Sequence, residues 1–182
     1  KTVSRIKPAS VEQLAIENKA IVDGSLEMMG FIANDVLIMA KKPELLNAFS
    51  ILVNTIYQFS SISEELKSLI GLMVSTSNGC EYCMSHTFNS AIQKNVAKNK
   101  IECIWEYESN DQFTNEEKAA LKVAWGAGQS PNSVSDSDYE NLRIYFDENQ
   151  QLEIIGIISL FGFLNRWNST LKTDIESISK LS

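Results

Sequence analysis

Apolar residues recur at helical spacing along this chain, and the strict alternation that marks a half-buried strand is almost absent. The clearest stripe is Leu66, Leu69, Ile70 and Met73, at i, i+3, i+4 and i+7, behind a capping-box pattern of Ser61 and Glu64. Ser10 with Gln13 and Thr114 with Glu117 form the same pattern, and Pro43 suits the first position of a helix running through Leu46, Phe49 and Val53. The Thr114 helix continues through Leu121 toward Trp125 and ends near Gly126 and Gly128. Gly128 to Asp136, containing Pro131, reads as a loop. A helix near Ser137 to Asp147 follows, then a long one from about Gln150 to Ile178, weakened at Gly156 and Gly162. Ile101 to Glu108 alternates imperfectly and is assigned as a short helix, because a lone strand has no partner for its ladder. The expectation is an all-α bundle of about eight helices, one domain spanning residues 1–182.

The 182 residues carry a net charge of −7, and the only arginines are Arg5, Arg143 and Arg166. Phosphate backbones and anionic lipid surfaces are bound by clustered basic groups, so neither a nucleic acid nor a membrane is an expected partner. The longest apolar run, Ile154 to Leu164, is interrupted by Ser159 and falls short of the roughly 20 residues that cross a bilayer. No basic-then-apolar leader opens the chain. Three cysteines are too few, and odd in number, for a disulfide-stapled secreted domain, so the cytoplasm is the expected compartment.

Chemistry concentrates in Asn78-Gly79-Cys80-Glu81-Tyr82-Cys83-Met84-Ser85-His86-Thr87, where the single histidine follows a Cys-x-x-Cys pair by three residues. Asn78-Gly79 is a turn signal and the residues through Ile92 read as helical, which puts Cys80 near a helix N-terminus, where unpaired amides and the dipole stabilise a thiolate. At roughly 100° per residue Cys83 lies between Cys80 and His86, one turn from each. His86 reaches Cys83 more readily than Cys80, yet the dipole favours Cys80 as the more acidic thiol, so spacing leaves the roles open. A thiolate that attacks a peroxide becomes a sulfenic acid, which a neighbouring thiol condenses to a disulfide. Two inert buried thiols, or a zinc site, are the competing readings; zinc lacks a fourth ligand, since Cys103 is the only other thiol and reads as core. No cofactor or metal is expected. Trp125, Trp167, Phe161 and Phe163 read as packing or oligomer surface, Glu116 and Glu117 as helix-start acids, and Asn168-Ser169-Thr170 as a sequon without meaning in a cytosolic protein.

The stretch from Lys67 through Cys80, Cys83 and His86 to Thr87 resembles the core of the carboxymuconolactone decarboxylase and alkylhydroperoxidase D-like family. The likeness extends from Met39-Ala-Lys-Lys-Pro43 through Phe113 to Leu121 and on to Asn165-Arg-Trp-Asn-Ser-Thr170. It implies an all-helical, homo-oligomeric protein with thiol-dependent peroxidase activity. In cysteine-bearing members the second cysteine attacks peroxide and the first resolves it, which makes Cys83 the attacker and Cys80 its partner, recycled by a thioredoxin-like or lipoyl-bearing dithiol donor. Two positions depart from the pattern. The family histidine often sits where this chain has Thr87, and its acidic relay residue sits where this chain has Ser68, with Glu64 and Glu65 as the nearby substitutes. A broken relay favours a redox-sensing or non-catalytic oligomer as the alternative, and family analogy adds a decarboxylase-like lyase.

Overall fold

A computed structural model of the chain describes residues 4–177. Among them are nine α-helices: α1 (Ile16–Met29), α2 (Asn34–Met39), α3 (Pro43–Gln58), α4 (Glu64–Asn78), α5 (Glu81–Gln93), α6 (Lys98–Glu102), α7 (Asn115–Ala127), α8 (Asp136–Tyr145) and α9 (Glu148–Leu171), with two short 3₁₀ turns. The described residues hold no strand, as the periodicity requires.

Helix α4 is the axis of the bundle. Every residue from Leu66 to Thr76 is buried, and the helix packs against α5, α7 and α9. A helix surrounded in this way needs apolar side chains on all faces, and Leu69, Ile70 and Met73 have no exposed surface. Its one buried charge, Lys67, is matched by acceptors: the ammonium donates to the carbonyls of Tyr57 and Phe59 at the end of α3 and to Glu64 Oε1 at 2.8 Å. That single side chain ties the end of α3 to the start of α4.

Several helix starts differ from expectation by two to five residues. The cap of α4 is Ser63, whose hydroxyl accepts the Leu66 N–H, not Ser61, whose backbone N–H instead donates to the buried Glu153 carboxylate. Ser10 precedes only a 3₁₀ turn, and α1 begins at Ile16. Thr114 caps α7 as expected, through the Glu117 N–H. Ser135 and Asp147 close full capping boxes with Asp138 and Gln150, so α8 and α9 start slightly earlier than the pattern placed them. Within Ile101 to Glu108, α6 ends at Glu102, a 3₁₀ turn spans Ile104–Glu106, and the remaining residues are turns.

Helix α9 runs unbroken through Gly156 and Gly162 and ends at Leu171, where Lys172 turns left-handed. The residues after it do not prolong the helix. They fold back over α5, and Ile178, the expected helix end, lies outside the described residues. At the other end of the site, α4 and α7 are clamped together. Ser77 Oγ donates to the Trp125 carbonyl at 2.6 Å, Asn78 Nδ2 to that of Gly128 at 3.3 Å, and Gln129 Nε2 to Ser77 Oγ at 2.6 Å. The clamp fixes where α4 stops. Gly79, at φ +78°, then makes the left-handed turn that a side chain would strain, and α5 begins immediately with Cys80.

Candidate active site

Cys80 is the N-cap of α5, and its sulfur accepts the Cys83 N–H at 3.3 Å. The same first turn brings the two sulfurs to 2.6 Å. Both cysteines are free thiols, 1% and 2% exposed, packed with Tyr82, Leu164 and Ile175. Sulfurs this close share a proton, so the pair titrates as a unit. Hydrogen bonding from the Cys83 thiol, with the Cys83 amide adding to it, lowers Cys80 to about 7. The bond to Cys80 and burial push Cys83 strongly upward. The first negative charge on the pair is therefore favoured on Cys80, at the helix N-terminus.

His86 lies on the same helix, with its ring stacked on Tyr82 (centroids 4.2 Å apart) and met edge-on by Phe31 at 5.4 Å. The expected contact with Cys83 gives way to another: Nε2 faces Glu176 Oε2 at 2.7 Å. Glu176 comes from the segment that follows α9. Its Oε1 also accepts the Tyr82 hydroxyl at 2.6 Å and the Asn34 N–H at 2.7 Å. Burial opposes charge on both members of the pair, but their mutual hydrogen bond and attraction outweigh it. His86 is raised above its ordinary value and Glu176 is lowered below its own.

A second carboxyl enters from α2. Asp35 is only partly buried as a residue, but its carboxyl is enclosed, and desolvation raises its pKa. Oδ1 lies 3.2 Å from the Tyr82 hydroxyl, and Oδ2 accepts from Asn168 Nδ2 at 3.2 Å. That Asn168 nitrogen is also 3.7 Å from Cys83 Sγ. One α9 side chain thus bridges the carboxyl and the sulfur, while Asn165, one turn earlier, donates to Ser75 Oγ at 3.2 Å.

Cys80, Cys83 and His86 therefore share one end of α5, but the acids around them are not those nearest in sequence. Glu64 pairs with Lys67 and Lys94, Glu65 with Lys100, and Ser68 spends its hydroxyl on the Glu64 carbonyl. Thr87 likewise bonds the Cys83 carbonyl at 2.7 Å. Asp35, Tyr82, Asn168 and Glu176 are the site residues that sequence reasoning missed. Only Tyr82 and Asn168 lay inside recognised patterns, and neither pattern pointed to its role. Cys103 closes α6, outside the cluster.

The family model for the carboxymuconolactone decarboxylase family matches residues 43–125. The Bacillus subtilis (strain 168) protein YdfG is 31% identical over 110 residues, 60% of this chain and 73% of YdfG. The chain belongs to the carboxymuconolactone decarboxylase family. Among solved structures of related chains, the debrominase Bmp8 superposes with a TM-score of 0.90 at 32% identity, covering 97% of this chain and 94% of Bmp8. A cysteine-to-alanine variant of Bmp8 in complex with 2,3,4-tribromopyrrole matches equally well, with a TM-score of 0.92 at 31% identity over 100% of this chain and 97% of Bmp8. The alkylhydroperoxidase AhpD core of a peroxidase-related protein from Ralstonia eutropha JMP134 shares the fold, with a TM-score of 0.83 at 20% identity over 100% of this chain and 96% of that one. These matches extend the family likeness over α1, α2 and α9, beyond the residues the family model covers.

Proposed function

We propose that the protein is a dithiol oxidoreductase that reduces peroxides with the Cys80 and Cys83 thiols. The observation that carries this reading is the 2.6 Å approach of two buried free sulfurs at a helix N-cap. Cys83, the sulfur beside Asn168, attacks the peroxide after passing its proton to Cys80. An S–O bond forms as the O–O bond breaks, and an alkoxide leaves with the bonding pair. The Cys80 thiol then displaces water from the sulfenic acid, giving the Cys80–Cys83 disulfide. A small dithiol, thioredoxin-like or lipoyl-bearing, returns the two electrons.

A second reading has its own support. The likeness to the debrominase Bmp8 covers nearly the whole chain at 32% identity, well above that to the peroxidase-related fold neighbours. The same thiolate can take bromine from an electron-rich ring, the carbon keeping the bonding pair and gaining a proton, before Cys80 displaces bromide.

Reduced protein treated with an alkyl hydroperoxide and, separately, with 2,3,4-tribromopyrrole separates the two when product and disulfide are quantified by mass spectrometry. Peroxide reduction requires one alcohol per disulfide. Cys83→Ser is expected to abolish oxidation, and Cys80→Ser to consume one equivalent and stop at a sulfenic acid. Loss of the first equivalent in Cys80→Ser alone would exchange the roles, and inert thiols in the wild type would refute the dithiol reading.

A further inference from the structure

Breaking the O–O bond of an alkyl hydroperoxide leaves a strongly basic alkoxide. Attack by the Cys83 thiolate leaves one proton on Cys80, and expelling water from the sulfenic acid uses it, so protonating the alkoxide as well takes a second proton. An acid must come from elsewhere. The lysines near the start of α4 are committed to Glu64, Glu65 and Glu117. His86 faces Glu176. The group on the Cys83 side of the cluster is Asp35, separated from the sulfur by a single amide nitrogen at 3.2 Å from its carboxyl and 3.7 Å from Sγ.

We infer that Asp35 is the acid that protonates the leaving group when Cys83 attacks; the inference rests on the dithiol reading above. A leaving oxygen seated at the Asn168 amide reaches both the sulfur and the Asp35 carboxyl. The Asn168 amide oxygen is 2% exposed as a residue and has no hydrogen-bond partner among the described residues. A buried acceptor left open in this way is costly unless a ligand donor fills it, and the O–H of a hydroperoxide is such a donor.

Burial raises the Asp35 carboxyl, which favours its protonated form. The groups facing it are Tyr82 and His86 from α5, Asn168 from α9 and Glu176 from the C-terminal segment. The Tyr82 hydroxyl stands between the two carboxyls, 2.6 Å from Glu176 Oε1 and 3.2 Å from Asp35 Oδ1. The hydroxyl has one proton to give and Glu176 is the nearer acceptor, so Asp35 Oδ1 has no full donor there, which favours its protonated form. Burial moves Asp35 up while His86 holds Glu176 down, and carboxyls driven apart in this way divide into an acid and a charge-holder. In the step itself the Asp35 proton passes to the alkoxide and yields an alcohol. Asp35 is left ionised and regains a proton from solvent while the external dithiol reduces the disulfide.

The test uses leaving groups of different basicity. An alkyl hydroperoxide expels an alkoxide, which needs the acid; a peroxy acid expels a carboxylate, which does not. Single-turnover oxidation of the reduced pair is followed by stopped flow for wild type and Asp35→Asn. The variant is expected to slow the alkyl hydroperoxide about a hundredfold and the peroxy acid by no more than about threefold, the range general acids supply. Equal slowing of both, or of neither, would overturn the assignment while leaving the dithiol chemistry standing. A wild-type pair that neither peroxide oxidises would remove the dithiol reading itself. If Asp35→Asn does not fold, wild type decides: the H2O-to-D2O rate ratio must be larger for the alkyl hydroperoxide than for the peroxy acid, which shares only the Cys83-to-Cys80 proton transfer, and identical solvent isotope effects refute the acid.

Discussion

The segment after α9 covers the sulfurs, and Glu176 is the latch over the site, beside Asp174, which exchanges hydrogen bonds with Ser4 and gives its carbonyl to Asn34 Nδ2. The Glu176 carboxylate accepts from the Asn34 N–H, the Tyr82 hydroxyl and His86, all within 2.7 Å. The Glu176 and His86 side chains are only 9% and 17% exposed, so water screens the pair little. Charge-assisted hydrogen bonds are each worth about 1.5–3 kcal/mol net and are not additive, and removing one partner of a buried ion pair costs about 3–5 kcal/mol. Taking the lower figure, Glu176→Ala makes opening of this segment about 3 kcal/mol easier, which multiplies the open population by about a hundred. With 1% and 2% of Cys80 and Cys83 exposed, an alkylating reagent modifies them in proportion to that population. Alkylation under native conditions, followed by mass spectrometry and normalised to the thiolate fraction read from ultraviolet absorbance, should therefore accelerate about a hundredfold. Glu102→Ala, which removes an exposed ion pair with Lys98, is the control and should leave the rate unchanged. A Glu176→Ala rate within about twofold of wild type, with Cys80 and Cys83 as the residues modified, would refute the latch. A proportionate fall in the global urea midpoint would assign the acceleration to whole-chain unfolding instead.

The latch also carries a pH window. His86 is raised above 6.5, so its contribution is complete below that value and is lost as pH rises through the folded pKa; Glu176 is lowered below 4.5, so its contribution is complete above that value and is lost as pH falls. Thiol protection normalised to thiolate fraction should be greatest between those two values, and protection that keeps rising above neutral pH would contradict the pairing. At the opposite end of the site, a Cβ on Gly128 would stand 2.8 Å from Ser77 Oγ and 2.9 Å from the Val74 carbonyl oxygen. Gly128→Ala is expected to cost about 1–3 kcal/mol through overpacking, lowering Tm by about 5 °C in a domain of this size. An unchanged or higher melting temperature would show that α4 and α7 separate without penalty.

How much of this was readable beforehand depended on distance along the chain. The helical periodicity, the Thr114 cap and the Cys80, Cys83 and His86 turn are local properties, set by side chains three or four residues apart; the cap and the turn are found where the pattern places them, and the helix ends shift where distant groups intervene. Ser61 fits the capping box with Glu64, yet Ser63, two residues on and followed by Leu66 at the third position, is the residue that caps the helix. The choice between them was made by Glu153, 92 residues away, which takes the Ser61 N–H for itself. Glu64 and Glu65 lie near enough in sequence to be candidates for the missing relay acid, but their carboxylates are paired with Lys67 and Lys100, away from the thiols.

The sequence by itself determined that the chain is helical, that it carries one redox-capable turn, and that the turn's first thiol sits where amides favour an anion. Those conclusions follow from periodicities and dipoles that act within a few residues. Only the tertiary structure decided which groups surround the thiols. Tyr82 meets Asp35 across 47 residues and Glu176 across 94, and Asp35 meets Asn168 across 133. Such meetings come from the packing of α2, α5 and α9 and the return of the chain after Leu171, and a polar residue's own neighbours in sequence say nothing about which distant partner will desolvate it.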